Sequence, residues 1–306
     1  MRNVRVGTVM LQAGSLTRQQ VADRAVALAE EAGRDGADIV CLPEALGSVG
    51  APGRPDALVA RSEFIPGGTT RRLARVARKY GMYVICPIVE RAAGAFYNTA
   101  VVLGRRGEVA GTFRKQVPTP EELALGILPG AAPRALATDV GRIGVAICFD
   151  LNFRDIEDGW RRQNADLLFW PSAFEGGVLL EQWARYCNAY VVASTWGETA
   201  SVYDKTGQAL ATATWRSPVV TATLNLDRRL YHWDTARNCV PALKRKYGAE
   251  VSVEHLSPWA RVAITSHRRG LSLARLEREF EFERIDAYLD RARALRDRIA
   301  APRRGV

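Results

Sequence analysis

The stretch GRIGVAICFD at residues 141–150 carries an apolar run directly into a reactive side chain. Residues 141–147 have the length and the apolar character of a buried strand, so we predict a strand there. Cys148 follows at the carboxyl end of that strand. Ligands of α/β proteins collect at the carboxyl ends of strands, and a thiol in this position therefore indicates a candidate site.

The alternation of strands and helices continues from this stretch in both directions. The chain begins with an alternating strand, followed by a helix whose apolar residues recur at i, i+4 and i+7. We predict strands at residues 4–10, 38–42, 82–89, 98–103, 108–113, 141–147, 166–170 and 190–194, three more within 201–226, and helices near 21–32, 69–80, 153–163 and 179–187. Strands that alternate with helices and also form hairpins imply mixed sheets with helices on their outer faces, an α/β fold.

Two other predicted strands also end at residues that can take part in catalysis. Glu44 comes just after the strand at 38–42, and Lys115 follows the strand at 108–113. Taken singly, the carboxylate can be a cap of a turn, the lysine a surface charge and Cys148 a small buried apolar residue. Because all three lie at strand ends we expect them to converge, although spacing alone does not establish it.

Three short blocks around these residues resemble the nitrilase superfamily, the carbon–nitrogen hydrolases. The blocks are LPEA at 42–45, FRKQ at 113–116 and GVAICFD at 144–150, and they are supported by YNTA at 97–100, LPG at 128–130 and WPSAFEGG at 170–177. The resemblance covers most of the chain from residue 3 to about 265. It implies a four-layer αββα sandwich and a catalytic order of Glu, Lys and Cys.

The resemblance also implies a role for each of these residues. Cys148 attacks an amide carbon, and the resulting oxyanion is held by the Lys115 ammonium and the backbone N–H of Phe149. Glu44 accepts the thiol proton, passes it to the leaving amine and then activates water to hydrolyse the thioester. The implied chemistry uses no metal and no organic cofactor.

A second glutamate commonly lies between the lysine and cysteine blocks of the family, where it positions substrate and lysine. This chain offers Glu121 and Glu122. We favour Glu122 because its distance along the chain to Pro129 is nearer to the usual one. The alternative is that either carboxylate simply interacts with the helix N-terminus that follows Pro120.

Residues that flank the nucleophile or follow the next strand are expected to line the substrate site, with ordinary packing as the alternative. These residues are Phe149, Asn152, Ser172, Ala173 and Phe174. The remaining cysteines lack comparable partners, so we interpret them as structural; they are Cys41, Cys86, Cys187 and Cys239.

The residues after the nucleophile favour one type of substrate. Nitrilases that resemble this chain usually have Cys-Trp-Glu, whereas Cys148-Phe149-Asp150 is more similar to amidases and N-carbamoyl hydrolases. We therefore expect cleavage of a small-molecule amide or N-carbamoyl compound to an acid plus ammonia or an amine. A nitrilase and a soluble cysteine acyltransferase remain alternatives, while an inactive scaffold would be expected to have lost one of the three catalytic groups.

The composition is typical of a folded globular enzyme. The chain has 306 residues, of which 47% are hydrophobic and 25% are charged. No apolar run approaches the roughly 20 residues that span a bilayer, and residues 1–11 lack the apolar block of a signal peptide, so we expect a soluble protein without membrane contact. The five cysteines show no disulfide or zinc spacing, which favours reduced thiols in the cytoplasm.

The net charge of +10 raises the alternative of a nucleic-acid partner. The basic residues after position 268 are mixed with acidic ones and no aromatic-rich basic patch accompanies them, so we expect a solvated surface and no nucleic acid. We divide the chain into a catalytic domain at 1–270 and a helical extension at 271–306. The resemblance to the nitrilase superfamily implies a homo-oligomer, a dimer or larger. We expect the extension to pack on a neighbour; packing on its own subunit is the alternative.

Overall fold

The computed structural model describes residues 2–47, 57–256 and 259–300. The chain divides into two compact units, one formed by Val4–Leu224 and the other by Met1–Asn3 together with Asn225–Val306. The first unit contains two six-stranded sheets, and helices cover the outer face of each. This arrangement confirms the predicted α/β class and the four-layer αββα sandwich.

The first sheet bears the carboxylate and the lysine at its strand ends. Its strands are β1 (Asn3–Val9), β2 (Ile39–Cys41), β3 (Tyr83–Ala92), β4 (Ala95–Leu103), β5 (Val109–Arg114) and β12 (Val219–Asn225). They are ordered β12-β1-β2-β3-β4-β5. Strands β1, β2 and β3 are parallel, whereas β3, β4 and β5 are antiparallel. Glu44 follows β2 and Lys115 follows β5 at once.

The second sheet bears the thiol. Its strands are β6 (Leu136–Thr138), β7 (Gly141–Val145), β8 (Leu167–Ser172), β9 (Tyr190–Thr195), β10 (Thr199–Tyr203) and β11 (Ala209–Thr214). They are ordered β11-β10-β9-β8-β7-β6. Because β7, β8 and β9 are parallel, their carboxyl ends lie at one edge, where Cys148 follows β7 and Ser172 ends β8.

The two sheets pack face to face through buried side chains. The Ser194 hydroxyl of β9 donates a hydrogen bond to the Cys41 carbonyl of β2 at 2.9 Å and lies 2.8 Å from the Thr8 hydroxyl of β1. Each of these polar atoms is buried with a partner, as a buried polar group requires. These contacts fix the position of one sheet on the other.

The outer layers of this unit are formed by α1 (Arg18–Arg34), α3 (Gly68–Tyr80), α5 (Arg154–Gln163) and α6 (Val178–Cys187). The unit also contains the short helices α2 (Ala57–Ala60) and α4 (Pro120–Ala124). Helix α1 buries the stripe predicted from its periodicity, and Leu28 packs with Leu73 of α3 in the core beside the first sheet. On the second sheet, Gly144 of β7 admits the Trp160 ring of α5, since a β-carbon at residue 144 would lie 2.7 Å from that ring.

The second unit contains a smaller sheet. Its strands are β13 (Arg228–His232), β14 (Val251–Leu256) and β15 (Arg261–Ser266), and its helices are α7 (Trp233–Ala236), α8 (Val240–Tyr247), α9 (Leu273–Glu279) and α10 (Ile285–Ala300). The three strands are antiparallel in the order β13-β15-β14. They form a core in which Tyr231, Leu243, Ile264 and Leu276 are buried together.

The predicted helical extension corresponds to α9 and α10 of this second unit. Helix α10 is mostly exposed along its length. Residues 301–306 of the extension lie outside the described residues. The division at residue 270 and the role of the extension in a homo-oligomer stay predictions. Within the described ranges, no helix is both long and apolar enough to cross a membrane.

Candidate active site

The backbone around Lys115 is fixed by the strands on both sides of it. The Lys115 N–H donates to the Asn98 carbonyl of β4 at 2.8 Å, which continues the pairing of β4 and β5 by one residue. The Lys115 carbonyl accepts from the Gly130 N–H, also at 2.8 Å. Gly130 leaves no room for a side chain, because a β-carbon there would lie 2.6 Å from the Arg114 carbonyl oxygen. The lysine side chain is thus directed from a rigid support.

The Lys115 ammonium is buried between two carboxylates. Its Nζ lies 2.9 Å from Oε1 of Glu44 and 2.7 Å from Oε2 of Glu122, and the lysine side chain is only 1% exposed. Burial opposes the charged form, but the negative charges of Glu44 and Glu122 outweigh it and raise the pKa of Lys115 above its usual value. The lysine is therefore a permanent cation and not the surface charge of the alternative interpretation.

The structure brings Glu122 rather than Glu121 into this cluster. Glu122 is buried, whereas Glu121 is exposed. The Thr119 side chain accepts from the Glu122 N–H, and Oε2 of Glu122 accepts from the Thr119 N–H at 2.8 Å, which is a capping box at the start of α4. Glu122 therefore makes both the helix-terminal interaction and the contact with Lys115 that the sequence left as alternatives.

Asn98 joins the two carboxylates and was not among the predicted site residues. Its Nδ2 donates to Oε1 of Glu44 and to Oε1 of Glu122, each at 2.8 Å. A sequence signal existed, because Asn98 is an amide in an apolar strand and a buried amide needs partners. The sequence alone does not show which partners those are.

Cys148 lies at a sharp turn from strand to helix. Strand β7 ends at Val145, and Cys148 begins a 3₁₀ helix over Cys148–Asn152. Its φ of 46° is in the left-handed region, a conformation that costs a non-glycine residue on the order of 1–3 kcal/mol. The indole Nε1 of Trp170 donates to the Cys148 carbonyl at 3.0 Å and helps to hold this conformation.

The surroundings of the Cys148 thiol favour its neutral form. Burial and the negative charge of Glu44 raise the pKa of Cys148 to about 12, although the Lys115 ammonium and the Ser172 hydroxyl lower it. The positive charge of Lys115 favours the thiolate, but the combined effect of burial and Glu44 is larger. A thiolate at this position therefore needs a neighbouring base at the moment of reaction.

Two of the five predicted lining residues lie against the thiol. Ser172, at the end of β8, is fully buried; its hydroxyl contacts the Cys148 sulfur and accepts from the Phe174 N–H at 2.9 Å. The backbone of Ala173 also contacts the sulfur. These contacts place the segment after β8 beside the Cys148 sulfur; a role of Ser172 and Ala173 in lining the substrate site stays a prediction.

The other three residues lie around the turn or outside it. The Phe149 ring is half-buried and meets Phe153 edge-on, with ring centres 5.3 Å apart. Asn152 is exposed and its Nδ2 donates to the Phe149 carbonyl at 3.0 Å. The Phe174 side chain is 69% exposed. Their participation in substrate binding stays a prediction.

The remaining cysteines have different surroundings. All five cysteines are free thiols. Burial is the largest cause that raises the pKa values of Cys41, Cys86, Cys187 and Cys239, and Lys115 acts on none of them. Among the residues that the structure describes, no group of three or more His, Cys, Asp or Glu side chains could hold a metal ion.

Asp150 connects the segment after Lys115 with the turn that bears Cys148. Its Oδ1 accepts from the Val117 N–H and its Oδ2 from the Ile147 N–H, both at 2.9 Å. Burial raises the pKa of Asp150 from 3.8 to about 6, despite these hydrogen bonds and the charge of Lys115, which lower it. Burial of the Asp150 carboxyl group costs solvation free energy. Its two hydrogen bonds align two backbone segments of the site.

The replacement Asp150→Asn is expected to change how stability depends on pH. The pKa of Asp150 is about 6 in the folded protein and lower in the unfolded chain. Between these two values the folded protein therefore binds more protons than the unfolded chain. The stability due to Asp150 is lost as pH rises through 6. The wild type and Asp150→Asn are compared by the difference between their free energies of unfolding. This difference, wild type minus variant, should fall by roughly 2 kcal/mol from pH 4 to pH 7. Urea unfolding at several pH values measures it.

The control for this prediction is Asp139→Asn, which removes an exposed carboxylate. Partial burial raises the pKa of Asp139, but Arg105 and Tyr83 lower it below its usual value. The Asp139 carboxyl is thus ionised in both states above pH 5, and the corresponding difference should stay flat from pH 5 to pH 7. A flat difference for Asp150→Asn over pH 4–7 would contradict the role of burial at Asp150.

Comparison with known proteins places the chain among hydrolases. Residues 5–229 match the family described as carbon-nitrogen hydrolase. The chain is 28% identical to the omega-amidase NIT2 of Mus musculus over 286 residues, which covers 84% of this chain and 100% of that protein. It is 33% identical to omega-amidase NIT2 of Bos taurus over 184 residues, 57% of this chain and 65% of the bovine protein.

Solved structures have the same fold. Saccharomyces cerevisiae Nit3, a member of branch 10 of the nitrilase superfamily, matches with a TM-score of 0.64 at 20% identity, over 81% of this chain and 95% of Nit3. An amidase from Nesterenkonia sp. AN1, as a double mutant in complex with acrylamide, matches with a TM-score of 0.60 at 20% identity, over 73% and 91% of the two chains. At these identities the likeness establishes a common fold.

Proposed function

Because this chain belongs to the carbon–nitrogen hydrolase family of the nitrilase superfamily, we propose that it hydrolyses a small-molecule amide, or an N-carbamoyl compound, through a thioester on Cys148. One observation carries the proposal: Lys115 is buried in contact with Glu44 and Glu122, and both Glu44 and Lys115 act electrostatically on the Cys148 thiol. A carboxylate base, a fixed cation and a thiol are the groups that acyl transfer to sulfur requires.

The first step forms the thioester. As the Cys148 sulfur attacks the carbonyl carbon, the thiol proton passes to Glu44, which makes the thiolate only when it is used. The carbonyl electron pair moves to oxygen, and the oxyanion is stabilised by the Lys115 ammonium and the Phe149 N–H. An ammonium has three N–H donors, and two of them serve Glu44 and Glu122, which leaves a third for the oxyanion.

The second half of the reaction releases both products. The oxyanion collapses, the carbon–nitrogen bond breaks, and protonated Glu44 gives its proton to the leaving nitrogen as ammonia or an amine departs. Water then attacks the thioester while Glu44 takes a proton from it. The carbon–sulfur bond breaks, the acid leaves, and the proton returns to the Cys148 sulfur. Glu122 keeps Lys115 in place throughout.

The amide preference has three supports. The Cys148-Phe149-Asp150 sequence is more similar to amidases and N-carbamoyl hydrolases than to nitrilases. The similar mammalian proteins are omega-amidases, and an amidase from Nesterenkonia sp. AN1, as a mutant, shows covalent addition of the acetamide moiety of fluoroacetamide at its active site cysteine. An amide carbonyl also provides the oxygen that becomes the oxyanion, so it uses the third donor of Lys115.

The experiment is a substrate screen without an added acyl acceptor. Aliphatic, aromatic and α-amino acid amides, amides of dicarboxylic acids, N-carbamoyl compounds and nitriles are incubated with the protein, and ammonia and free acid are both measured. We expect equal amounts of ammonia and acid from one class of amide. Faster release from nitriles would favour a nitrilase, and release only with an added acceptor would favour an acyltransferase. No release and no acylation of Cys148 would contradict the proposal.

A further inference from the structure

The orientation of the Asn98 amide is fixed by its two carboxylate neighbours. Nδ2 carries two hydrogens, and one points to Glu44 and the other to Glu122 at equal distances of 2.8 Å. The reversed orientation would place Oδ1 against two carboxylate oxygens, which is repulsive. Asn98 is 1% exposed, so no water from bulk solvent replaces these bonds.

The oxygen of the same amide lacks a hydrogen bond within the described residues. Oδ1 of Asn98 is buried and has no hydrogen-bond partner among the described residues. Such an unpaired acceptor destabilises a folded protein, and Ala100, Val101 and Val102 farther along β4 are apolar. An amide that served only to fill space on this strand could be replaced by an apolar residue without that loss. The two bonds of Nδ2 therefore indicate why an amide is there.

We propose that Asn98 is a positioning residue: it aligns Glu44 with Glu122 by holding Oε1 of Glu44, and it leaves Oε2 of Glu44 to exchange protons with Cys148. Both Lys115 and Asn98 donate to Oε1 of Glu44. In the described part of the chain no side chain donates to Oε2. This inference rests on the proposed role of Glu44 as the base.

The charge of the site explains why a neutral donor is suitable. Glu44 and Glu122 share one ammonium, so the resting cluster has one excess negative charge. The titratable groups of this cluster are Glu44, Glu122, Lys115 and Cys148, and the charge of Lys115 also acts on Asp150. A second cation in place of Asn98 would form another full ion pair with the carboxylates, whereas an amide N–H donates to them and adds no charge.

The test measures the reactivity of Cys148 without a substrate. The rate of alkylation by iodoacetamide is followed from pH 4 to pH 9, and modification of Cys148 is assigned by peptide mass spectrometry. In the wild type the reaction should be fast at pH 7, because Glu44 takes the thiol proton as the sulfur attacks. In Asn98→Ala the rate at pH 7 should fall about tenfold, because Oε2 of Glu44 is no longer aligned with the sulfur, and the pH profile should change its shape.

The matched control is Thr99→Val on the same strand. The Thr99 hydroxyl donates to Oε2 of Glu90 at 2.7 Å, so the replacement also removes a buried donor to a carboxylate, but outside the site. Its alkylation rate at pH 7 and its pH profile should equal those of the wild type. If Asn98→Ala does not fold, as judged by circular dichroism, Asn98→Ser is measured instead, with the same expected direction.

Two results would overturn the inference, and they differ. An unchanged rate at pH 7 and an unchanged pH profile in a folded Asn98 variant, while Glu44→Gln abolishes ammonia release from the best substrate of the screen, would leave Glu44 as the base and reject the role of Asn98. Ammonia release by Glu44→Gln at the wild-type rate would reject Glu44 as the base, and with it both the proposed mechanism and this inference.

Discussion

Replacement of Lys115 by methionine is expected to abolish hydrolysis and to lower the free energy of unfolding by roughly 3–5 kcal/mol, as removal of one partner from a buried ion pair does. The side chain is 1% exposed, and its ammonium touches the buried carboxylates of Glu44 and Glu122. Methionine is similar in length but leaves both carboxylates without their cation. The loss of an oxyanion donor by itself lowers turnover about 100- to 1000-fold.

Urea unfolding at pH 7 and ammonia release from the best substrate of the screen measure these effects. The control is Lys79→Met, because Lys79 forms its ion pair with Glu30 on the surface, where its side chain is 58% exposed. That replacement should leave both stability and turnover close to the wild type, since surface pairs contribute little. A Lys115→Met protein with wild-type stability and measurable turnover would contradict the role of the buried cluster.

Cys148→Ala is expected to remove turnover completely while the protein stays as stable as the wild type at pH 7. The replacement deletes the only atom that can form the thioester. Because the folded pKa of about 12 is raised above its ordinary value, the folded wild type binds more protons than the unfolded chain at alkaline pH. The wild type should therefore lose stability relative to Cys148→Ala as pH rises above about 8.5, the usual value of a free thiol.

Thermal unfolding at pH 7 and at pH 9.5, together with ammonia release, tests this prediction. Cys187→Ala is a matched control: Cys187 is a buried thiol on α6 whose sulfur donates to the Glu157 carbonyl at 3.6 Å. That variant should keep its turnover and lose some stability. Turnover by Cys148→Ala would refute the mechanism.

The sequence predicted the fold and the order of the main groups because both depend on local patterns. Glu44, Lys115 and Cys148 each follow an apolar run that is long enough to be recognised as a strand. The short blocks around them then relate the chain to one superfamily. The helix start after Pro120 supplied both Glu121 and Glu122, and the position in the capping box determines which of them faces inward.

Features that depend on packing between distant segments could not be predicted. Asn98 meets its partners only because β4 lies between β3 and β5, and a lone amide in a strand does not reveal its face. The neutral state of Cys148 results from burial and the nearby Glu44 charge, which exceed the effect of Lys115. Strand β13 pairs with β15 across a long intervening segment, which local periodicity does not reveal.

The thiol and its proposed base belong to different sheets. Glu44, Asn98 and Lys115 are held by the first sheet, whereas Cys148 and Ser172 lie at the edge of the second. A chain whose sheets have each formed but have not yet docked has a thiol without a proton acceptor or a fixed cation. The proposed acyl chemistry therefore depends on docking of the two sheets, because neither sheet alone holds both the thiol and the groups that are proposed to activate it.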